Sequence, residues 1–336
     1  MSVLSQTGLW RNTPPSHRLD GAHSGFAAQY IFPSGRQALS QGLLIAGLSR
    51  PKRVACPEWS SQCVLSAISR FATPIPMAEV VRHDLPVDAI VLYEQWGWPI
   101  PDPVWEQLRE RFSQVPLIWD RVDSADYLCR TESPSPAVVA DITSLSKLLG
   151  VIGGGILRYQ GHYVAFEPGP ASALNRHVLQ AGDTVVNSSE SKAYFQDQAR
   201  AVHPGVLNWI AQNSLERALE EESAARQRNL RLLMSSEPAA GWPPWMRKAV
   251  ERGAAAGIAP LLRNAGNERL KEAVSFLQSQ HNIATTIYHF NWSGNPMSPN
   301  YEPCLAFPVH GEIQDPQAAL SSLANLISTY RTLKTG

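Results

Sequence analysis

VDAIVLYEQWGWPIPDPVWEQLRERFSQVPLIWD, residues 87–120, sets two short apolar runs on either side of one amphipathic segment. VDAIVLY (87–93) is an almost uninterrupted apolar run of strand length, and LIWD (117–120) is a second run that ends on a carboxylate. Between them Val104 to Phe112, entered through Pro103, has the spacing of a short helix. Apolar strands separated by helices belong to a mostly parallel sheet covered on both faces. Ligands of such sheets gather at the carboxyl ends of the strands, so the polar residues that end these runs are the first to weigh as site residues.

The same alternation extends both ways. Upstream, Ser34 to Leu48 follows a Pro-Ser-Gly turn with Ala38, Leu39, Leu43 and Leu48 at helical spacing. Arg53 to Cys56 reads as a strand, and Ser60 to Arg70 as a helix. Downstream, Ala137 to Ala140 is a further short apolar run, and a long helical stretch covers Pro204 to Leu233. The acidic cluster inside it (LERALEEESAARQRN, 215–229) reads as a solvated helix face. Prolines around GWPPW break the chain, and a smaller α/β unit follows. There Gly257 to Leu262, IATTIYH (283–289) and Leu305 to Phe307 are strands, and Asn267 to Gln280 is a helix. A last helix starts at Asp315–Pro316 and stacks Leu320, Leu323, Ala324, Ile327 and Tyr330. The expected organisation is an N-terminal arm over 1–25, a large domain over 26–235 and a small C-terminal α/β domain over 236–336.

Composition narrows the function. The 336 residues carry 29 Lys plus Arg against 29 Asp plus Glu, and a chain without net charge argues against a nucleic-acid or anionic-membrane surface. Only 17% of residues are charged, against a usual share of about 25%, which suits a chain that buries extra surface against a partner subunit. The longest uncharged apolar run, Leu148 to Leu157, is too short to span a bilayer and holds four glycines. The first twenty residues lack the basic and apolar regions of a secretory signal. Cys56, Cys63, Cys129 and Cys304 lack metal-ligand spacing, so no metal site is expected and reduced thiols in a cytoplasmic protein are the expectation.

SLSKLLGVIGGG (144–155) places Lys147 among small hydroxyl residues, ahead of a glycine-rich loop. A lysine that forms a Schiff base must lose its proton, and hydroxyls with backbone amides beside it can hold a phosphate. The stretch fits neither a P-loop nor the G-x-G-x-x-G fingerprint, and a loop lysine exposed to solvent accounts for it equally. Asp120 ends its strand 27 residues earlier, where a protonated pyridine nitrogen would satisfy it. Helix capping ahead of RVDSADYL is the other reading of that aspartate. FPSGRQAL (32–39) sets Ser34 and Gly35 at a helix start, suited to a phosphate or to ordinary capping. Trp59, in CPEWSSQ, falls at a strand-to-helix turn and could stack on a flat ring or pack as a core or interface aromatic.

Phosphate turn, aromatic, ring-nitrogen aspartate and Schiff-base lysine occur in one order, and that order resembles the fold-type-I pyridoxal 5'-phosphate (PLP) enzymes, most closely the DegT/StrS family of sugar aminotransferases. The resemblance runs from about Phe32 to Glu312. It implies that Ser34, Gly35 and Arg36 hold the phosphate, that Trp59 stacks on the ring, that Asp120 takes the pyridine nitrogen and that Lys147 carries the aldehyde. Ser146 falls where a phosphate-binding hydroxyl is common, and Asn187 (TVVNSS) is similar to an Asn that reaches the phosphate of the neighbouring subunit's cofactor. Trp96-Gly97 looks like the Tyr-Gly that shapes the substrate side, where His289 is the second candidate. LAFPVHGEI (305–313) resembles a late structural segment of the family.

The departures from that pattern are specific. Asp123 stands where the family has Gln or His beside the cofactor's phenolic oxygen, and a carboxylate there would repel that oxygen unless protonated or turned away. Arg121 and Val122 replace small residues that pack under the ring, the acid after the lysine is missing from VIGGG (151–155), and Ser189 stands two residues after Asn187 in place of an Arg. The resemblance implies transfer of an amino group from glutamate or glutamine to a keto-sugar or similar small keto substrate, in a homodimer whose sites are shared across the interface. The altered surroundings of Asp120 leave two alternatives: a PLP enzyme of another reaction type, such as elimination or decarboxylation, or a non-catalytic binding subunit of the same fold.

Overall fold

The computed structural model describes residues 6–15, 28–126, 137–167, 201–313 and 315–335. Its large sheet is built from β1 (Ile31–Phe32), β2 (Arg53–Cys56), β3 (Thr73–Pro76), β4 (Ala89–Tyr93), β5 (Leu117–Asp120), β6 (Val138–Ser144), β7 (Gly155–Tyr159) and β8 (His162–Tyr163). The order across it is β1-β7-β6-β5-β4-β2-β3, with β8 paired to β7. From β3 to β6 all neighbours are parallel, while β7 runs antiparallel to β6, β1 and β8. This is the mostly parallel sheet expected from the sequence, continued on one side by the antiparallel strand β7, which begins where the glycine-rich loop ends.

The helices α1 (Gly35–Ile45), α2 (Gln62–Phe71), α3 (Met77–His83), α4 (Asp102–Arg111) and α5 (Leu145–Leu149) connect these strands. The Ser34 hydroxyl accepts from the Gln37 amide at 3.2 Å and so starts α1, whose buried stripe is Ala38, Leu39 and Leu43. β3 and α3 are hidden in the sequence by Pro74 and Pro76, and prolines are tolerated there because β3 is the edge of the sheet. Lys147 lies in the short helix α5, not in a loop, and Gly150 ends that helix in the left-handed region at φ 67°.

The long stretch after 204 is two helices, α6 (Pro204–Gln212) and α7 (Leu215–Met234), with Ser214 capping the second. α7 is not solvated along its whole acidic run. Glu220 and Glu221 are exposed, whereas Glu222 and Arg226 are buried on the stripe that carries Leu219 and Leu230. The spacing of three and four residues sets all four on one face.

The last third holds α8 (Pro244–Glu251), β9 (Ile258–Leu261), α9 (Asn267–His281), β10 (Thr286–Asn291), β11 (Tyr301–Pro308) and α10 (Pro316–Thr335). Its three strands form an antiparallel sheet in the order β10-β11-β9. The Asp315 carboxylate accepts from the Ala318 amide at 2.8 Å and caps α10, as the Asp-Pro start predicts. One apolar core joins this sheet to Leu230 and Leu233 of α7 and to Trp96 and Trp98 after β4. The start of the chain packs here as well. Thr7 donates to the Asn282 carbonyl at 3.0 Å and accepts from the Ala284 amide at 2.8 Å, and Leu9 and Trp10 lie against the same core.

Candidate active site

The carboxyl ends of three adjacent parallel strands meet in one place. Tyr93 ends β4 and pairs in register with Asp120 at the end of β5, which in turn pairs with Ile142 of β6, two residues before Ser144. Beyond Ser144 the chain turns directly into α5 and presents Lys147. Above these ends lies a cavity of about 710 Å³, lined among others by Ser34, Gly35, Arg36, Asp120, Ser146 and Lys147.

The side of the cavity at the start of α1 is assembled by close backbone approach. Gly154 donates to the Pro33 carbonyl at 2.8 Å, which ties the turn before α1 to the glycines after α5. A Cβ on Gly155 would lie 2.5 Å from the Ser34 carbonyl carbon and 2.6 Å from the Gly35 nitrogen, so only glycine lets these segments touch. Gly35 in turn leaves a Cβ only 3.0 Å from Ser144 Cβ. The Ser144 and Ser146 hydroxyls share a hydrogen bond of 3.0 Å. The cavity wall here thus combines the first turn of an 11-residue helix with Ser34, Ser144 and Ser146, a set of donors suited to an anion.

Asp120 is 1% exposed, and its carboxylate accepts from the Val122 amide at 3.2 Å. Burial pushes its pKa up from 3.8 to about 7, with the nearby Asp123 charge adding to the rise and Lys147 opposing it. Asp123 is fully buried. Its Oδ1 lies 2.8 Å from Lys147 Nζ, and the Tyr93 hydroxyl donates to its Oδ2. Burial alone would lower the Lys147 pKa, but the charge and hydrogen bond of Asp123, with the charge of Asp120, outweigh it and hold the amine above its usual range. Burial, then Asp123, raises the Tyr93 hydroxyl well above the ordinary tyrosine range. The departure at Asp123 therefore has a structural answer: this carboxylate is turned to an ammonium and a hydroxyl.

A buried arginine fixes the same segment from behind. Arg226 of α7 donates to the Asp123 carbonyl at 2.9 Å, to the Lys147 carbonyl at 3.3 Å and to Glu222 at 2.6 Å. Glu222 also accepts from Arg11 at 2.7 Å, so the same cluster anchors the start of the chain. From there Leu9, Trp10, Arg11 and Asn12 line the cavity, with the Trp10 ring centroid 5.1 Å from Lys147 Nζ.

Trp96 lines the cavity too, stacked on Phe290 at 5.2 Å, and its backbone stands in the left-handed region at φ 59°. Gly97 follows at φ 85°, where a Cβ would sit 2.5 Å from the Asp123 carbonyl oxygen. Trp59 and His289 do not line this cavity. A turn closed by Ser60, whose amide and hydroxyl both donate to the Pro57 carbonyl, carries Trp59 outward, and Ser61, Cys63 and Val64 face the cavity instead. Trp59 packs on the His289 ring at 4.4 Å and on Tyr301 at 5.5 Å, beside a separate aromatic cleft that shares Tyr93 with the main cavity. Arg121 also stays out of the cavity, set over Trp119 and bonded to Asp126 at 2.9 Å, while Val122 faces in. Asn187 lies outside the described residues.

Tyr93, Trp10 and Arg226 are the site residues that the sequence reading did not single out. Tyr93 was within reach, because it ends its apolar run just as Asp120 ends the next one.

Comparison with known proteins agrees with this geometry. A family model described as "Putative PLP-dependent aminotransferase" matches residues 17–165, a little under half of the chain. No curated protein matches it in sequence. Among solved structures it is similar to the aminotransferase TlmJ from Streptoalloteichus hindustanus, with 15% identity, TM-score 0.54, and 92% of this chain and 88% of that one covered. A DegT DnrJ EryC1 StrS aminotransferase from Brucella abortus aligns over 90% of this chain and 85% of its own, with 15% identity and TM-score 0.53. NtdA from Bacillus subtilis, solved with bound PMP, aligns over 89% of this chain and 72% of its own, with 12% identity and TM-score 0.55. The fold is that of the fold-type-I PLP aminotransferases.

Proposed function

We propose that this chain is a PLP-dependent aminotransferase that takes an amino group from glutamate or glutamine and delivers it to a keto-sugar or similar small keto substrate. The observation that carries the reading is the convergence on one cavity of a lysine amine, a buried carboxylate at a strand end and a helix start flanked by hydroxyls. The residues fit the cofactor. Ser34, Gly35, Arg36 and Ser146 would hold its phosphate, with Ser144 beside them. Asp120, buried with a backbone amide as donor and with a raised pKa, suits a protonated pyridine nitrogen. When bound, PLP supplies an aldehyde carbon to which amines attach and a heterocycle that takes up electrons.

The chain's own groups have the remaining work. Lys147 Nζ would hold the cofactor's aldehyde and, as a free amine, would move a proton at the donor's Cα. Asp120 would keep the ring nitrogen protonated. Trp96 would shape the substrate side, and Leu9 to Asn12 would form the part of the wall nearest the amine.

Several coarser features join this reading. A homodimer with sites shared across the interface belongs to the same reading, in keeping with the small charged fraction. The large domain ends near 235, where α7 stops, and the small domain follows. Among the described residues no helix is long and apolar enough to cross a membrane, and Cys56, Cys63 and Cys304 are free thiols, which fits work in the cytoplasm.

The test is spectroscopic. Purified protein given PLP is expected to develop a visible absorption band that borohydride fixes to Lys147, and Lys147→Ala is expected to lose both band and adduct. Glutamate or glutamine added alone should bleach the band, as a transaminase half-reaction requires. A protein that stays colourless with PLP overturns the cofactor reading, and a band that no amino donor bleaches points to another reaction type.

A further inference from the structure

Asp123 is the one residue around Lys147 whose chemistry departs most from the resemblance, and the structure surrounds it with specific contacts. Its side chain is fully buried, Oδ1 is 2.8 Å from Lys147 Nζ, Oδ2 takes the Tyr93 hydroxyl proton in a hydrogen bond, and its carbonyl is gripped by Arg226. A Cβ on Gly97, at φ 85°, would sit 2.5 Å from that carbonyl oxygen, so glycine is what lets the two segments pack here. The carboxylate is therefore fixed on the amine from both ends.

The other ionisable groups near that amine are Asp120 from β5, Cys63 from α2 and Tyr93 from β4, and the Trp10 ring covers it from the N-terminal segment. Among them Asp123 makes the direct contact with Nζ. Such a pair faces a conflict. An ammonium is no nucleophile, and an ion pair out of water keeps its proton on the nitrogen unless a base in contact accepts it.

We propose that Asp123 is a catalytic residue: the base that takes a proton from the Lys147 ammonium so that the amine can attach to an aldehyde, with Tyr93 holding the carboxyl group in line. One N–H bond of Nζ breaks and its electron pair stays on nitrogen, while an O–H bond forms at Oδ1. The two charges vanish together, which the full burial of the carboxylate favours. The Tyr93 hydroxyl keeps its hydrogen bond to Oδ2 before and after the transfer. The reverse transfer restores the ion pair when the amine is set free. This inference rests on the PLP reading for its aldehyde, but the pair itself exists without any cofactor.

The experiment has two arms. In the first, the protein without PLP is reductively methylated with ¹³C-formaldehyde and titrated by NMR. The chain has six lysines, and Lys147→Arg identifies the signal. Asp123→Asn is expected to lower the pH at which the Lys147 signal titrates by ~1 to 3. An unchanged titration overturns the pairing. In the second arm, the rate at which the visible band grows after PLP is added at neutral pH is compared between the two proteins. If Asp123 merely stabilised the ammonium, Asp123→Asn would free the amine and speed attachment. As a base, its loss slows attachment by ~10²-fold or more despite the freer amine.

Equal or faster attachment in Asp123→Asn overturns the proposal. Should that variant fail to fold, Tyr93→Phe keeps the ion pair and removes only the alignment of Oδ2. It is expected to attach PLP more slowly with Lys147 still titrating as in the natural protein, and unaltered attachment overturns the proposal. Absence of any band in the natural protein overturns the PLP reading itself, and the first arm then still decides the pair.

Discussion

Asp120 shows how one side chain records both the fold and the chemistry. In a sheet interior a carboxylate is costly unless something cationic or hydrogen-bonding meets it. Here burial pushes its pKa up to about 7 from 3.8. The native protein without cofactor thus binds more protons than the unfolded chain between about pH 4 and pH 7, and its stability falls as pH rises through that window. Asp120→Asn removes this liability. The variant is expected to melt higher than the natural protein at pH 8, by a smaller margin at pH 5 and about equally near pH 3, measured by thermal unfolding without PLP. Asp120 and Lys147 were legible in the sequence because each interrupts or follows an apolar run where no core residue is polar without cause. Trp59 was not placed correctly by its motif, since a single turn at Pro57–Ser60 decides which way the indole leaves the backbone. No pattern of residue types encodes that direction.

Among the elements, the junction of β7 with the turn before α1 forms the wall proposed to hold the phosphate. Gly155→Ala puts a methyl group 2.5 Å from backbone atoms that have no alternative rotamer. It is expected to cost about 1–3 kcal/mol in urea unfolding and to weaken PLP binding, measured by titrating the visible band. α7 is the second such element. Arg226→Met leaves three acceptors without their guanidinium and Glu222 with Arg11 as its remaining cation, and about 3 kcal/mol of stability is expected to be lost in urea unfolding. Burial raises the Glu222 pKa, but Arg226 and Arg11 outweigh it and hold it below its usual range, so this carboxylate is charged and needs its cations. Most helices and central strands could be read from periodicity, because their buried stripes are local. The buried half of α7 was hidden in a run of charges, although its spacing with Leu219 and Leu230 marks the face. β7 escaped because glycine-rich text carries no strand period.

Across the whole molecule, the order of elements fixed the architecture before any contact was known, since parallel strands with intervening helices admit few topologies. What the sequence could not convey is long-range docking. Residues 1–25 read as an arm, yet within them Thr7 bonds to the chain at 282–284, Thr13 and Asn12 to Glu312, and Arg11 to Glu222. Removal of residues 1–13 is expected to leave the sheet intact by circular dichroism while raising the Kd for PLP about tenfold, as the cavity loses Leu9 to Asn12. Light scattering should give twice the chain mass for the full-length protein.

The roof over Lys147 has a consequence for the order of events during synthesis. These covering residues, Leu9 to Asn12, are synthesised well before their anchors at 282–284 and Glu312. Until those anchors exist nothing holds the segment beside the Lys147 amine, so the roof docks late in folding, after the strands beneath it have been made.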